Sequence, residues 1–201
     1  MPYGCDSFSN SFPCGADFYV GELNAANAFN TAAAATVGAG NTFAYYFLYG
    51  PSSAPPGVDA YTWGVQQADG AYTGWNSNNQ VARRTIFGDV EGNVGDFGWV
   101  ADQRQNQLVW EGYAAELGNQ GLYPGLYSTQ ALWNGIMGAG YTIGGGTPVW
   151  SADNQTTGPC GSCPGGLPSL PTIGGVAPTI WQYDSTPSCA NDLDFAASLP
   201  G

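Results

Sequence analysis

"RRTIFGDVEGN", residues 83–93, runs from two arginines through a short apolar stretch to two acids, Asp89 and Glu91, set one residue apart between glycines. An apolar, β-branched and aromatic run closed by Gly makes "RRTIFGDV", residues 83–90, read as the fourth strand. Ahead of it, "VDAYTWGVQQADGAYTGW" (58–75) places Tyr61, Val65, Ala68, Tyr72 and Trp75 along one helical stripe. Behind it, "FGWVADQRQNQLVWEGYAAELGNQG" (97–121) places Trp110, Tyr113, Ala114 and Leu117 on a helix face, with Gly118 or Gly121 near its end. Helix, strand, helix is the unit of a parallel sheet with crossover helices.

The same alternation extends in both directions. "PYGCDSF" (2–8), "ADFYVGEL" (16–23) and "TFAYYFLYG" (42–50) read as the first three strands. "ANAFNTAAAATVG" (26–38) puts Phe29, Ala32, Ala33, Thr36 and Val37 on one face of a helix between the second and third. "YPGLYST" (123–129), "TPVWSAD" (147–153), "PTIWQYD" (178–184) and "NDLDFA" (191–196) complete a set of eight strands. Eight strands with crossovers predict an α/β fold, a single closed (β/α) TIM-type barrel over residues 1–201, compact and with room for irregularity.

Composition narrows the chemistry. Of 201 residues only 9% are charged, fifteen Asp and Glu against three Arg, with no histidine and a net charge of −12. Lysine is absent too. Without them, a Ser/His/Asp triad, a Schiff-base lysine, a P-loop lysine and histidine metal ligands are ruled out, leaving carboxylate, thiol and phenol chemistry. The lack of a basic patch argues against nucleic acid and anionic membrane as partners. No run is long enough for a membrane helix, nothing at the N-terminus has the pattern of a signal peptide, and Met1 reads as a mature or recombinant start. A neutral polysaccharide fits better as partner, for a chain expected to act as a monomer, with no cofactor and no metal.

The five cysteines are Cys5, Cys14, Cys160, Cys163 and Cys189. Cys160 and Cys163 form a CxxC in "GPCGSCPGG", within a Gly/Pro-rich loop and without a following helix, which favours a structural disulfide over a redox pair or zinc. With few basic residues and an N-x-T sequon at Asn154, the cysteines point to a secreted, extracellular setting.

In a barrel the acids must be judged by strand ends, because catalytic groups gather at the C-terminal mouth. Asp6 ends the first strand, Glu22 the second, Asp89 and Glu91 the fourth, Asp153 the sixth and Asp184 the seventh, while Asp192 and Asp194 mark the eighth. On a strand, i and i+2 share a face with Cα atoms ~7 Å apart, so Asp89 and Glu91 cannot both ionise freely. One acid kept protonated beside a charged neighbour is the apparatus of glycoside hydrolysis. A solvated turn and a calcium cage are the structural alternatives. Tyr45, Tyr46, Trp150, Trp181 and Tyr183 are core packing or, at strand ends, sugar-stacking surfaces.

"YGCDSF", "FGDVEGN", "GLYPGLYST", "PVWSAD" and "TIWQYD" with "NDLDF" resemble, in order and over most of the chain, motifs of the family 25 glycoside hydrolases, lysozymes with a (β/α) barrel. A less characterised neighbouring group of barrels shares the D-x-E. The resemblance implies cleavage of the β-1,4 bond between N-acetylmuramic acid and N-acetylglucosamine in peptidoglycan. It implies Glu91 as general acid, Asp89 as its partner, Asp6 as the first-strand aspartate and Asp192 as the closing one. Tyr46, Tyr127, Trp150, Gln182 and Asp194 fall at substrate-lining positions. It further implies that the substrate acetamido group is the nucleophile, so no covalent enzyme link forms. The chain departs from the pattern in having no histidine on the third strand, Asn154 where a Tyr is usual, and Asp194 in place of the closing Asn. A non-catalytic glycan-binding or structural barrel is the alternative reading.

Overall fold

The computed structural model describes residues 2–6, 16–24, 29–153, 168–184 and 192–200. The expectations for Cys14, Cys160, Cys163, Cys189 and the Asn154 sequon lie outside them. Cys5 is buried in the first strand. The elements run β1 (Tyr3–Asp6), β2 (Phe18–Glu22), α1 (Thr31–Val37), β3 (Thr42–Phe47), α2 (Ala60–Ser77), β4 (Thr85–Asp89), α3 (Gln103–Asn119), β5 (Tyr123–Ser128), α4 (Gln130–Met137), β6 (Val149–Ser151), β7 (Ile180–Asp184) and β8 (Asp192–Ala196). The strands close a barrel in sequence order. β1 to β7 are parallel, whereas β8 runs antiparallel to both β7 and β1. The expected eight-strand barrel is therefore present, with its last strand reversed.

Period-two alternation sorts the side chains into two layers. Phe18, Val20, Phe43, Phe87, Tyr127, Trp150, Ile180 and Ala196 fill the barrel interior. Leu48, Ile86, Val90, Leu122, Leu126 and Val149 pack outward beneath the helices, together with Trp110, Tyr113, Leu117 and Trp133. Each fully buried side chain of this size contributes about 1.5–3 kcal/mol.

All four helices start at a side chain that caps the free backbone N–H groups: Asn30, Asp59, Asp102 and Thr129. α1 and α4 end before Gly38 and Gly138, whose φ of 82° and 95° suits glycine. α4 is absent from the sequence reading. Its signal is Thr129 followed by Trp133, Ile136 and Met137 on the buried face.

Two predicted helix faces shift. On α1, Ala33 and Ala34 are buried, whereas Ala32 and Thr36 are exposed. On α2, the buried residues are Ala60, Gly64, Gln67, Ala68 and Ala71, and Tyr61 is exposed. On α2 the cause is close approach to α3. A Cβ on Gly64 would overlap the Val109 carbonyl oxygen, and one on Gly112 would overlap the Tyr61 carbonyl oxygen. Small residues, not the large stripe, set this seam.

Candidate active site

The interior alternation that points Phe43 and Phe87 into the barrel continues upward to Tyr45, Phe47 and Asp89. There, at the C-terminal ends of the parallel strands, a cavity of about 220 Å³ opens. Five acids line it: Asp6, Glu22, Asp89, Glu91 and Asp192. Tyr45, Phe47, Tyr127, Trp150 and Gln182 supply the rest of its wall. The reversed β8 brings Asp192 to the mouth by its first residue, directly opposite Asp6. Asp89 sits between Phe47 and Tyr127 on the neighbouring strands. Next to Gln182 the β7–β8 register shifts by a bulge, a common device for re-aiming a side chain beside a site.

None of the chain's three arginines lines the cavity. Burial therefore acts on the acids with no positive charge to offset it. Asp6 is raised well above the usual carboxylate range, first by burial and then by Asp192, against a smaller lowering by Gln182. Asp89 is raised well above it too, by burial, then by Glu91 and Asp6. Burial also raises Glu91, against a lowering hydrogen bond with Tyr127, and Glu22, against one with Tyr45.

A polar relay crosses the floor. Tyr127 donates to Gln182 Oε1 at 2.7 Å, and Gln182 Nε2 faces the two Asp6 oxygens at 3.4 and 3.5 Å. A phenol has one hydrogen to give. While Tyr127 gives it to Gln182, it has none left for Glu91, whose carboxyl is raised chiefly by burial. Glu91 is half-buried, and its carbonyl accepts from Trp99 Nε1 at 2.9 Å. Asp89 is only 5% exposed, and its Oδ1 has no hydrogen-bond partner.

The structure brings together Glu91, Asp89, Asp6, Asp192, Tyr127, Trp150 and Gln182 as the sequence reading expects. Tyr46 is a correction. Strand parity turns it outward, where it packs under the helices with its hydroxyl over Gly70, and its neighbours Tyr45 and Phe47 face the cavity instead. Asp194 is a second correction. It is fully buried below the cavity, where Oδ1 accepts from Trp150 Nε1 at 2.8 Å and Oδ2 has no partner. Asp153 is likewise structural, accepting from the first N–H of α4 at 2.7 Å and from Ser151. Glu22 is a strand-end acid in the sequence, and only the closed barrel shows that it shares the cavity. Among the described residues, no three acidic or sulfur side chains are disposed to hold one metal ion.

Residues 20–167 match the family described as Lys-1, lysozyme-like protein 1. The chain belongs to this lysozyme-like family. A "Probable GH family 25 lysozyme 2" from Dictyostelium discoideum is 31% identical over 127 residues, 61% of this chain and 51% of that protein. The chain thus spans about half the length of the curated relative it matches. Among solved structures, a family GH25 lysozyme from Aspergillus fumigatus superposes with a TM-score of 0.61 at 19% identity, over 98% of this chain and 94% of that one. A muramidase from Trichobolus zukalii gives 0.64 at 17%, over 99% and 95%. The bacterial lysozyme from Streptomyces coelicolor gives 0.61 at 17%, over 92% and 82%. These likenesses establish that the lysozyme-like chain shares the family 25 barrel fold.

The buried carboxylates of the family member set the expected sign of its pH dependence, against the opposite contributions of the more exposed Asp59 and Glu111. Asp6, Asp89, Asp194, Glu91 and Glu22 all hold protons to a higher pH folded than unfolded. The native state therefore binds more protons, so stability is fullest below the ordinary carboxylate range and falls as pH rises through the raised values. Melting curves should show Tm declining from about pH 4 upward. Asp194→Asn keeps an oxygen for Trp150 and removes an acid raised by burial and by Asp6. It should match wild type near pH 4 and exceed it by about 1–3 kcal/mol at neutral pH. An unchanged slope would assign the pH dependence to other groups.

Proposed function

We propose that the chain is a glycoside hydrolase of the lysozyme type, cleaving the β-1,4 bond between N-acetylmuramic acid and N-acetylglucosamine in peptidoglycan. One observation carries the reading: five acids around a small cavity, with no cation among its lining residues. Such a cluster retains protons, and a retained proton beside a sugar is what protonates a leaving oxygen. The names of its relatives, lysozymes and muramidases, support the same chemistry.

Glu91 is the proton donor in this reading: its carboxyl is raised and partly exposed, and it follows Asp89 by two residues at the cavity mouth. It gives its proton to the oxygen that leaves with the released sugar. The substrate acetamido oxygen attacks the anomeric carbon as that bond breaks, and Asp89, Asp6 and Asp192 orient the acetamido group. Water then opens the ring so formed, returning a proton to Glu91. Tyr127, Trp150 and Gln182 line the sugar site. No cofactor is required, and we place the protein outside the cell as a monomer.

The test is release of new reducing ends from purified peptidoglycan across a pH series. Release should be greatest on the acid side and fall once Glu91 loses its proton. Binding of the glycan with no release at any pH would assign a non-catalytic barrel.

A further inference from the structure

Outside the cavity, one aromatic side chain is held where folding alone gives no reason for it. Phe97 has a φ of 48°, the only non-glycine left-handed backbone among the described residues, and is 48% exposed. That conformation costs roughly 1–2 kcal/mol for a residue with a Cβ, and exposing a phenyl ring forgoes its burial. The surrounding contacts fix it regardless. The Phe97 carbonyl accepts from Gly50 N at 2.9 Å, and the Gly98 carbonyl accepts from Ser52 N at 3.1 Å and Ser52 Oγ at 3.0 Å.

The location of the ring gives the strain a use. Its edge meets Phe47, a cavity-lining residue, at 4.8 Å between centroids and 78°. Its other neighbour is Gly92, the residue after Glu91, where a Cβ would strike the Phe97 ring. Trp99, two residues on, is bonded to the Glu91 carbonyl, so one loop carries both the acid and the ring. Phe47 also packs on Tyr49, 40% exposed, at 5.2 Å. Phe97, Phe47 and Tyr49 form a strip that begins in the cavity and ends in solvent.

We infer that Phe97 is a sugar-stacking platform that binds a ring of the glycan strand beside Glu91, continuing the cavity along the barrel mouth. The inference rests on the glycan reading above. A pyranose ring presents an apolar C–H face, and an exposed, rigidly held aromatic is its natural partner. Strain that the surrounding structure over-determines marks a site of use.

Binding of long and short N-acetylated oligosaccharides, measured by calorimetry in a Glu91→Gln background, separates this from the hydrolytic claim because no turnover is needed. Phe97→Ala should weaken binding of the long oligosaccharide by about tenfold, a typical loss for one buried aromatic contact, and Phe97→Trp should restore it. In the active protein, Phe97→Ala should raise KM with kcat little changed. Phe97→Gly relieves the left-handed backbone, so its Tm should hold or rise while binding falls. Undiminished binding by Phe97→Ala, or a Tm loss in Phe97→Gly, would make the ring mere packing. If wild type releases no reducing ends but Phe97→Ala still loses glycan affinity, the hydrolytic reading fails and the platform stands.

Discussion

Glu91→Gln is expected to lower glycan cleavage by about 10²–10⁴-fold, the usual share of a positioned general acid, while glycan binding stays within a few-fold. The amide fills the same volume and can still hydrogen-bond to Tyr127, but it has no proton to transfer. The Trp99 bond runs to the Glu91 backbone carbonyl and survives the exchange, so the loop keeps its place. Turnover on peptidoglycan, by reducing-end release at the acid-side optimum, is the measurement. Wild-type rates in the variant would move the proton to Asp89, whose carboxyl is the more deeply buried of the two.

Gly64→Ala should have the largest effect on stability, and with a sign opposite to helix propensity. In an open helix the exchange gains about 1 kcal/mol. Here the added methyl meets the Val109 carbonyl oxygen, a backbone atom that cannot step aside without parting α2 from α3. Overpacking of this kind costs about 3 kcal/mol, and at ~2–4 °C per kcal/mol for a chain this long Tm should fall by about 6–12 °C. Gly118→Ala, on α3 with open space around it, is the control and should hold or raise Tm. Equal responses at both sites would mean that the seam has slack.

Much of this architecture was legible because period-two runs ending in Gly or acid mark strands well. All eight strands fall inside the stretches read as such, and the D-x-E pair points into the cavity as spacing requires. What the sequence hid is three-dimensional parity. "TFAYYF" carries two adjacent tyrosines, and nothing local says which faces inward; the register with β2 and β4 turns Tyr45 in and Tyr46 out. Asp194 differs from expectation because β8 is reversed: it is the middle residue of Asp192–Ala196, so Asp192 takes the mouth and Asp194 the layer beneath. The face of α2 differs for a related reason: large side chains draw the eye, while glycine and alanine decide how near α2 and α3 come. Phe97 gave no sequence signal, since its oddity is a backbone angle.

The reversal of β8 has a consequence for protein engineering. A strand parallel to the others would finish at the mouth, whereas this one finishes on the opposite side. There Ala196 N meets the Pro2 carbonyl at 3.0 Å and Arg83 reaches the Pro200 carbonyl at 2.9 Å. The first and last described segments thus lie side by side at the base of the barrel. A short peptide joining these two described segments would link them at the end of the barrel away from the acid-lined cavity.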